Sequence, residues 1–157
     1  MTNKEIKIAY QEYDSLDQLN SQDRKLADAA IAAIATSYAP YSRFNVGAAI
    51  MFEDGDIIKG SNQENAAYPS GLCAERTALF YASSAHPDKA ITGIAIAAGQ
   101  NGVLCDSPAT PCGACRQVMA QYQTKGGKPM HTILVGAKRI WKFDKVDDLL
   151  PLIFDSI

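Results

Sequence analysis

The 157-residue sequence has almost no surplus of charge: 15 Lys and Arg against 17 Asp and Glu leave a formal net charge of -2. Without a basic surplus there is no surface for wrapping a phosphate backbone, so nucleic acid is not the expected partner and a free small molecule is easier to accommodate. No apolar run approaches the ~20 residues that a membrane span requires. The segment Met1 to Asp23 is polar and carries both signs of charge, unlike a secretory signal. Cysteine is scarce, at four, and histidine scarcer, at two. Four cysteines can close two disulfides, but nothing points to secretion and a chain of this length needs no staples. A reduced, cytoplasmic protein is therefore expected. Repeats, low-complexity stretches and linkers are missing too, so residues 1–157 read as one domain, with residues 1–20 as a polar extension of unassigned role. Hydrophobic residues at 47% and charged residues at 20% suffice for a globular core.

The chain order of elements follows from hydrophobic period and punctuation. Ser21 can cap a helix whose apolar face is Leu26, Ala29, Ala30, Ala33 and Ile34, ending near Tyr38 to Ala39 because the residue before Pro40 is pushed out of the helical region. Phe44 to Phe52 is apolar and β-branched, Asp54-Gly55 punctuates it, and Ile57 and Ile58 resume, which predicts a hairpin. A second helix starts at Cys73 and carries Ala74, Ala78, Leu79 and Ala82. Ile91 to Ala98 is apolar throughout, as in a strand buried on both faces. A polar loop over Gly99 to Pro111 leads to a third helix from about Cys112 to Gln123, stopped by Gly126-Gly127. Thr132 to Val135 and Arg139 to Trp141 read as short strands, and Val146 to Leu150 as a last short helix. The order α-β-β-α-β-α-β-β predicts a three-layer α/β/α domain with a mixed central sheet.

The chemistry is concentrated in two strings, Cys73-Ala74-Glu75 and Pro111-Cys112-Gly113-Ala114-Cys115. Three thiols can fill three corners of a zinc tetrahedron and leave the fourth for water, the mark of a catalytic rather than a structural site. Both clusters fall where a helix should begin, and the free N–H groups and partial positive charge there favour the thiolate that binds metal. Three thiolates and one Zn2+ sum to -1, an excess that weakens the metal as a Lewis acid. Arg76, on the same helical face as Cys73, is the candidate to offset it through a charge-assisted hydrogen bond. Glu75 is placed to move the protons of the metal-bound water. Two other uses of the cysteines stay open: a closed four-thiol structural site that recruits Cys105, and a redox C-x-x-C. His86 and His131 have no ligand spacing and read as surface or packing residues.

These strings resemble the zinc nucleobase deaminases, whose signature pairs H-x-E or C-x-E with P-C-x-x-C. The longer runs Cys73 to Ala78, Pro111 to Val118, Phe44 to Ala49 and Asn62 to Tyr68 resemble the small cytidine deaminases that act on free nucleosides. The match runs from about Tyr38 to Leu150. The resemblance implies zinc held by Cys73, Cys112 and Cys115, with Glu75 as the proton shuttle from a zinc-bound hydroxide to the pyrimidine N3 and the leaving amine. It implies that Asn62 and Glu64 bind the ribose hydroxyls and that Phe44 packs against the base. It also implies a homotetramer in which Phe154 reaches the base of an adjacent subunit. The expected reaction is hydrolytic deamination of cytidine and deoxycytidine to uridine and deoxyuridine, a step of pyrimidine salvage. A deaminase of aminonucleoside antibiotics of the blasticidin type shares the zinc logic, but Cys73-Ala74-Glu75-Arg76 and the Asn62/Glu64 pair favour cytidine. A zinc-stabilised binding module without catalysis is the rival from another class.

Overall fold

Alternation along the longest strands sorts their side chains between two layers of helix. In a computed structural model that describes residues 1–155, β2 (Phe44–Phe52) turns Ala48, Ile50 and Phe52 to one side and Ala49 and Met51 to the other. β4 (Ile91–Gln100) does the same with Ile94 and Ile96 against Ala95 and Ala97, so both strands are buried on both faces. The helix α1 (Ser21–Ala33) covers one face through Leu26, Ala27 and Ala30. The opposite face is covered by α2 (Ala74–Ala85), through Ala74, Ala78, Leu79 and Ala82, and by α3 (Gly113–Gly126), through Met119 and Ala120. The three-layer α/β/α arrangement expected from the element order is what forms.

The sheet has seven strands in the order β1-β7-β6-β4-β2-β3, where β1 is Gln11–Tyr13, β3 Ile57–Ser61, β6 His131–Val135 and β7 Ile140–Phe143. A two-residue β5 (Val103–Leu104) folds back on the end of β4. β4 and β6 run parallel, joined by the crossover that contains α3, and the other pairs are antiparallel, which makes the sheet mixed.

Several boundaries differ from the sequence reading. The cap of α1 is Asn20, whose side chain accepts the Gln22 and Asp23 N–H groups, and not Ser21. The helix ends at Ala33, tightening into a 3-10 turn over Ile34–Thr36 where the Thr36 hydroxyl donates back to the Ala33 carbonyl at 3.0 Å. The final short helix is a 3-10 turn, Val146–Asp148. The polar N-terminal extension contributes β1, which pairs with β7 through Gln11, Glu12 and Tyr13. The Trp141 indole N–H donates to Glu12 Oε2 at 2.6 Å, and the Tyr10 ring lies 5.2 Å from that of Phe143.

One contact sets how near α2 lies to the sheet. A Cβ on Gly60 of β3 would stand 2.5 Å from the Ala78 backbone nitrogen, so glycine permits this approach and no larger residue does. Gly60→Ala is expected to lower the unfolding free energy by ~1–3 kcal/mol in urea titration, the usual range for overpacking a tight interior contact.

Candidate metal and substrate site

The two cysteine strings become the starts of α2 and α3. Cys73 is the residue just before α2, with φ -69° and ψ 154°, and Cys112 precedes α3 with φ -68° and ψ 165°. Both are extended residues leading into a first turn, and their carbonyls accept the first helical bonds, from Thr77 N–H at 3.0 Å and Arg116 N–H at 2.9 Å. Cys115 follows one turn into α3 and is fully buried. The Sγ atoms of Cys73, Cys112 and Cys115 all lie within 4.8 Å of one another. Zinc–sulfur bonds of ~2.3 Å in a tetrahedron need sulfurs about 3.8 Å apart, so the three thiols fit a zinc ion with little adjustment. Cys105 stands apart from this group, in the loop after β5, and the four-thiol alternative has no fourth sulfur in the cluster.

The electrostatics suit a cation. The Cys73 thiol is lowered to about 5, chiefly by the hydrogen bond it takes from the Cys115 thiol and then by the Arg76 guanidinium. Cys115 is pushed up by that same bond and by burial. Crowded together, the sulfurs favour ionisation of one thiol and oppose it in the next, and a divalent cation among them removes that opposition. Arg76 Nη2 lies 3.7 Å from Cys73 Sγ, the contact expected of it. Arg116, by contrast, donates to the Pro111 carbonyl through Nε and to the Leu149 carbonyl through Nη1, both at 2.9 Å, and so braces the chain entering α3.

Glu75 sits in the first turn of α2 and is only 5% exposed. Burial raises its carboxyl above the ordinary carboxylate value, with the negative Cys73 adding to the shift. A carboxyl so placed holds a proton more readily than a solvated one, which is what a group that must accept and return protons needs.

Glu75, Cys73 and Cys112 line a cavity of about 590 Å3, together with Phe44, Asn62 and Glu64. Asn62 and Glu64 follow β3 directly. Between them Gln63 makes isolated bridges to Tyr38 and Leu72, so the backbone is extended and both flanking side chains reach the cavity. The Asn62 amide spans β2, accepting from Val46 N–H and donating to the Phe44 carbonyl, each at 2.8 Å. Phe154 lies outside the cavity lining, 67% exposed. Its backbone is held to α3 by Gln117, which donates to the Phe154 carbonyl at 2.7 Å and accepts its N–H at 3.2 Å. The sequence reading missed Tyr41, Ser42 and Tyr68, which also line the cavity. Nothing local marks Tyr41 and Ser42, whose contacts to Glu64 cross about 20 residues of chain, while Tyr68 ends the Asn62 to Tyr68 string without a role of its own being read from it. His131, packed over Gly93 and 3.1 Å from Asp23 Oδ1, and His86, edge-on to Phe52, take no part in the site.

Sulfur ligands on two helix starts, an acid–base carboxyl beside them and, in front, a largely apolar cavity with Asn62 and Glu64 in its wall define a metal-dependent enzyme for a small molecule that carries both ring and polar groups. Residues 20–126 match the family model for the cytidine and deoxycytidylate deaminase zinc-binding region. A cytidine deaminase of Halalkalibacterium halodurans is 50% identical over 92 residues, 59% of this chain and 65% of that protein. One from Sporosarcina psychrophila is 43% identical over 120 residues, 76% of this chain and 82% of its own length. Among solved structures, the Burkholderia pseudomallei cytidine deaminase superposes with a TM-score of 0.71 at 39% identity, covering 83% of this chain and 97% of its own. The Mycobacterium tuberculosis cytidine deaminase gives 0.68 at 32%, covering 87% and 100%. The chain belongs to the cytidine and deoxycytidylate deaminase family, and zinc is its metal.

The thiol assignment has a direct consequence for metal content. Purified protein is expected to carry one zinc per chain by elemental analysis, Cys73→Ser or Cys112→Ser to lose most of it, and Cys105→Ser to keep it.

Proposed function

We propose that the protein hydrolyses cytidine and deoxycytidine to uridine and deoxyuridine, releasing one ammonia per turnover. The observation that carries this reading is the buried Glu75 carboxyl beside the Cys73, Cys112 and Cys115 sulfurs, in one cavity with Asn62 and Glu64. Zinc, when bound by the three thiols, supplies Lewis acidity that brings the pKa of water toward neutrality. Glu75 takes one proton of the attacking water and passes it to N3 of the pyrimidine, then takes the proton of the hydroxyl added at C4 and delivers it to the amine as the C4 carbonyl forms and ammonia departs. The sum is one water consumed, one C–N bond broken and one carbonyl formed. Arg76 withdraws charge from Cys73 and so limits the excess negative charge of three thiolates. Phe44 packs on the base, while Asn62 and Glu64 meet the sugar hydroxyls as donor and acceptor.

The single catalytic domain acts as a homotetramer in which Phe154 of each chain closes the cavity of a neighbour. The exposure of Phe154, away from its own cavity and yet pinned by Gln117, supports that reading. So do Phe80 and Tyr81, which α2 leaves uncovered as exposed aromatics. The substrate supports a place for the reaction in pyrimidine salvage, and three thiols kept free for metal support a reducing, cytoplasmic setting. No helix among the described residues is long and apolar enough to cross a membrane.

Glu75→Gln is expected to keep zinc and melting temperature while losing roughly 10²–10⁴ of kcat, the usual weight of a positioned acid–base group. The assay is ammonia and uridine release from cytidine. Unchanged turnover in a zinc-loaded Glu75→Gln protein contradicts the mechanism.

A further inference from the structure

The Glu64 carboxylate is held in place by the loop between α1 and β2. Its Oε2 accepts the Tyr41 N–H at 2.9 Å and the Ser42 N–H at 3.2 Å, and its Oε1 accepts the Ser42 hydroxyl. The same Ser42 oxygen accepts the Phe44 N–H at 3.0 Å. The residue between them, Arg43, has φ 56°, in the left-handed region that residues other than glycine enter infrequently. That turn lets one hydroxyl face both Glu64 and the start of β2. Strained backbone of this kind persists only where surrounding contacts over-determine it, and here those contacts converge on Glu64.

We propose that Ser42 is a positioning residue for sugar recognition: its hydroxyl joins the Glu64 carboxylate to the backbone of Phe44, so that the groups meeting sugar and base form one frame. The proposal rests on the reading of Glu64 as the residue that binds the sugar. The frame also fixes how much of Glu64 is left for substrate. A carboxylate offers about four lone-pair sites, and Tyr41 and Ser42 occupy three of them. Room remains for one hydroxyl donor. Asn62 commits one lone pair of its carbonyl oxygen to Val46 N–H and one amide hydrogen to the Phe44 carbonyl, which leaves one lone pair and one N–H toward the cavity.

A mutant cycle on the zinc-loaded enzyme tests this, with steady-state kinetics on cytidine and deoxycytidine. Ser42→Ala is expected to raise KM about tenfold for both nucleosides alike, the cost of one hydrogen bond to a charged group, with kcat within about twofold. Ser42→Thr, which keeps the hydroxyl, is expected to restore most of the loss. In a Glu64→Gln background, Ser42→Ala is expected to change KM by less than about twofold, because a residue acting through Glu64 has nothing further to lose. Ser42→Cys fills the same space with a poor donor and serves the same cycle if the alanine variant is unstable. An unchanged KM in Ser42→Ala overturns the proposal, and so does the same factor appearing in both backgrounds. If Glu64→Gln itself leaves KM at the wild-type value, the sugar-binding reading of Glu64 fails, and the role of Ser42 falls with it.

Discussion

The site exists because two helix starts are forced to the same place. α2 follows β3 and α3 follows β5, on separate parts of the chain, yet both are drawn onto one face of the sheet by the alanines of α2 and by Met119 and Ala120 of α3. The small residues matter as much as the apolar character. Ala74, Ala78 and Ala82 let α2 lie close to the sheet, and Gly60 removes the last obstacle beneath Ala78. A larger residue at either point lifts the N-terminus of α2, and with it Cys73, away from Cys112 and Cys115. Core packing and metal geometry are thus one constraint.

The electrostatics follow from that meeting. Three sulfurs within 4.8 Å cannot all carry charge without a partner, and the opposite shifts of Cys73 and Cys115 express the same demand that a divalent cation answers. Both helices present their positive ends to the cluster, and Arg76 adds a full charge beside Cys73. Glu75 feels the opposite influences, burial and a negative neighbour, and is raised. One turn of helix therefore holds a thiol driven toward ionisation and a carboxyl driven toward protonation, only two residues apart. That division separates a metal ligand from a proton carrier.

Most of the architecture was legible because its signals are local. The apolar runs of β2 and β4, the Asp54-Gly55 turn and the Gly126-Gly127 stop each act within a few residues. The cysteine strings announce a metal through their spacing alone. β1 was not legible: Gln11, Glu12 and Tyr13 show no apolar alternation, and they form a strand only because β7 offers a free edge with Trp141 to receive Glu12. The end of α1 was misplaced because the Thr36 side chain and the packing of Gly47 against Ala30 and Ile34 override the Pro40 signal. Phe44, Asn62 and Glu64 could be picked out only through family likeness. What the likeness did not convey is that Asn62 is largely committed to the backbone of β2 and that Glu64 is gripped by Tyr41 and Ser42. Contacts across that much chain leave no mark in a local pattern.

X-ray absorption at the zinc edge of the purified protein tests the central claim most directly. The account predicts three sulfur neighbours and one lighter atom around the metal, a site with a position free for chemistry. Four sulfurs would make the centre structural and contradict it.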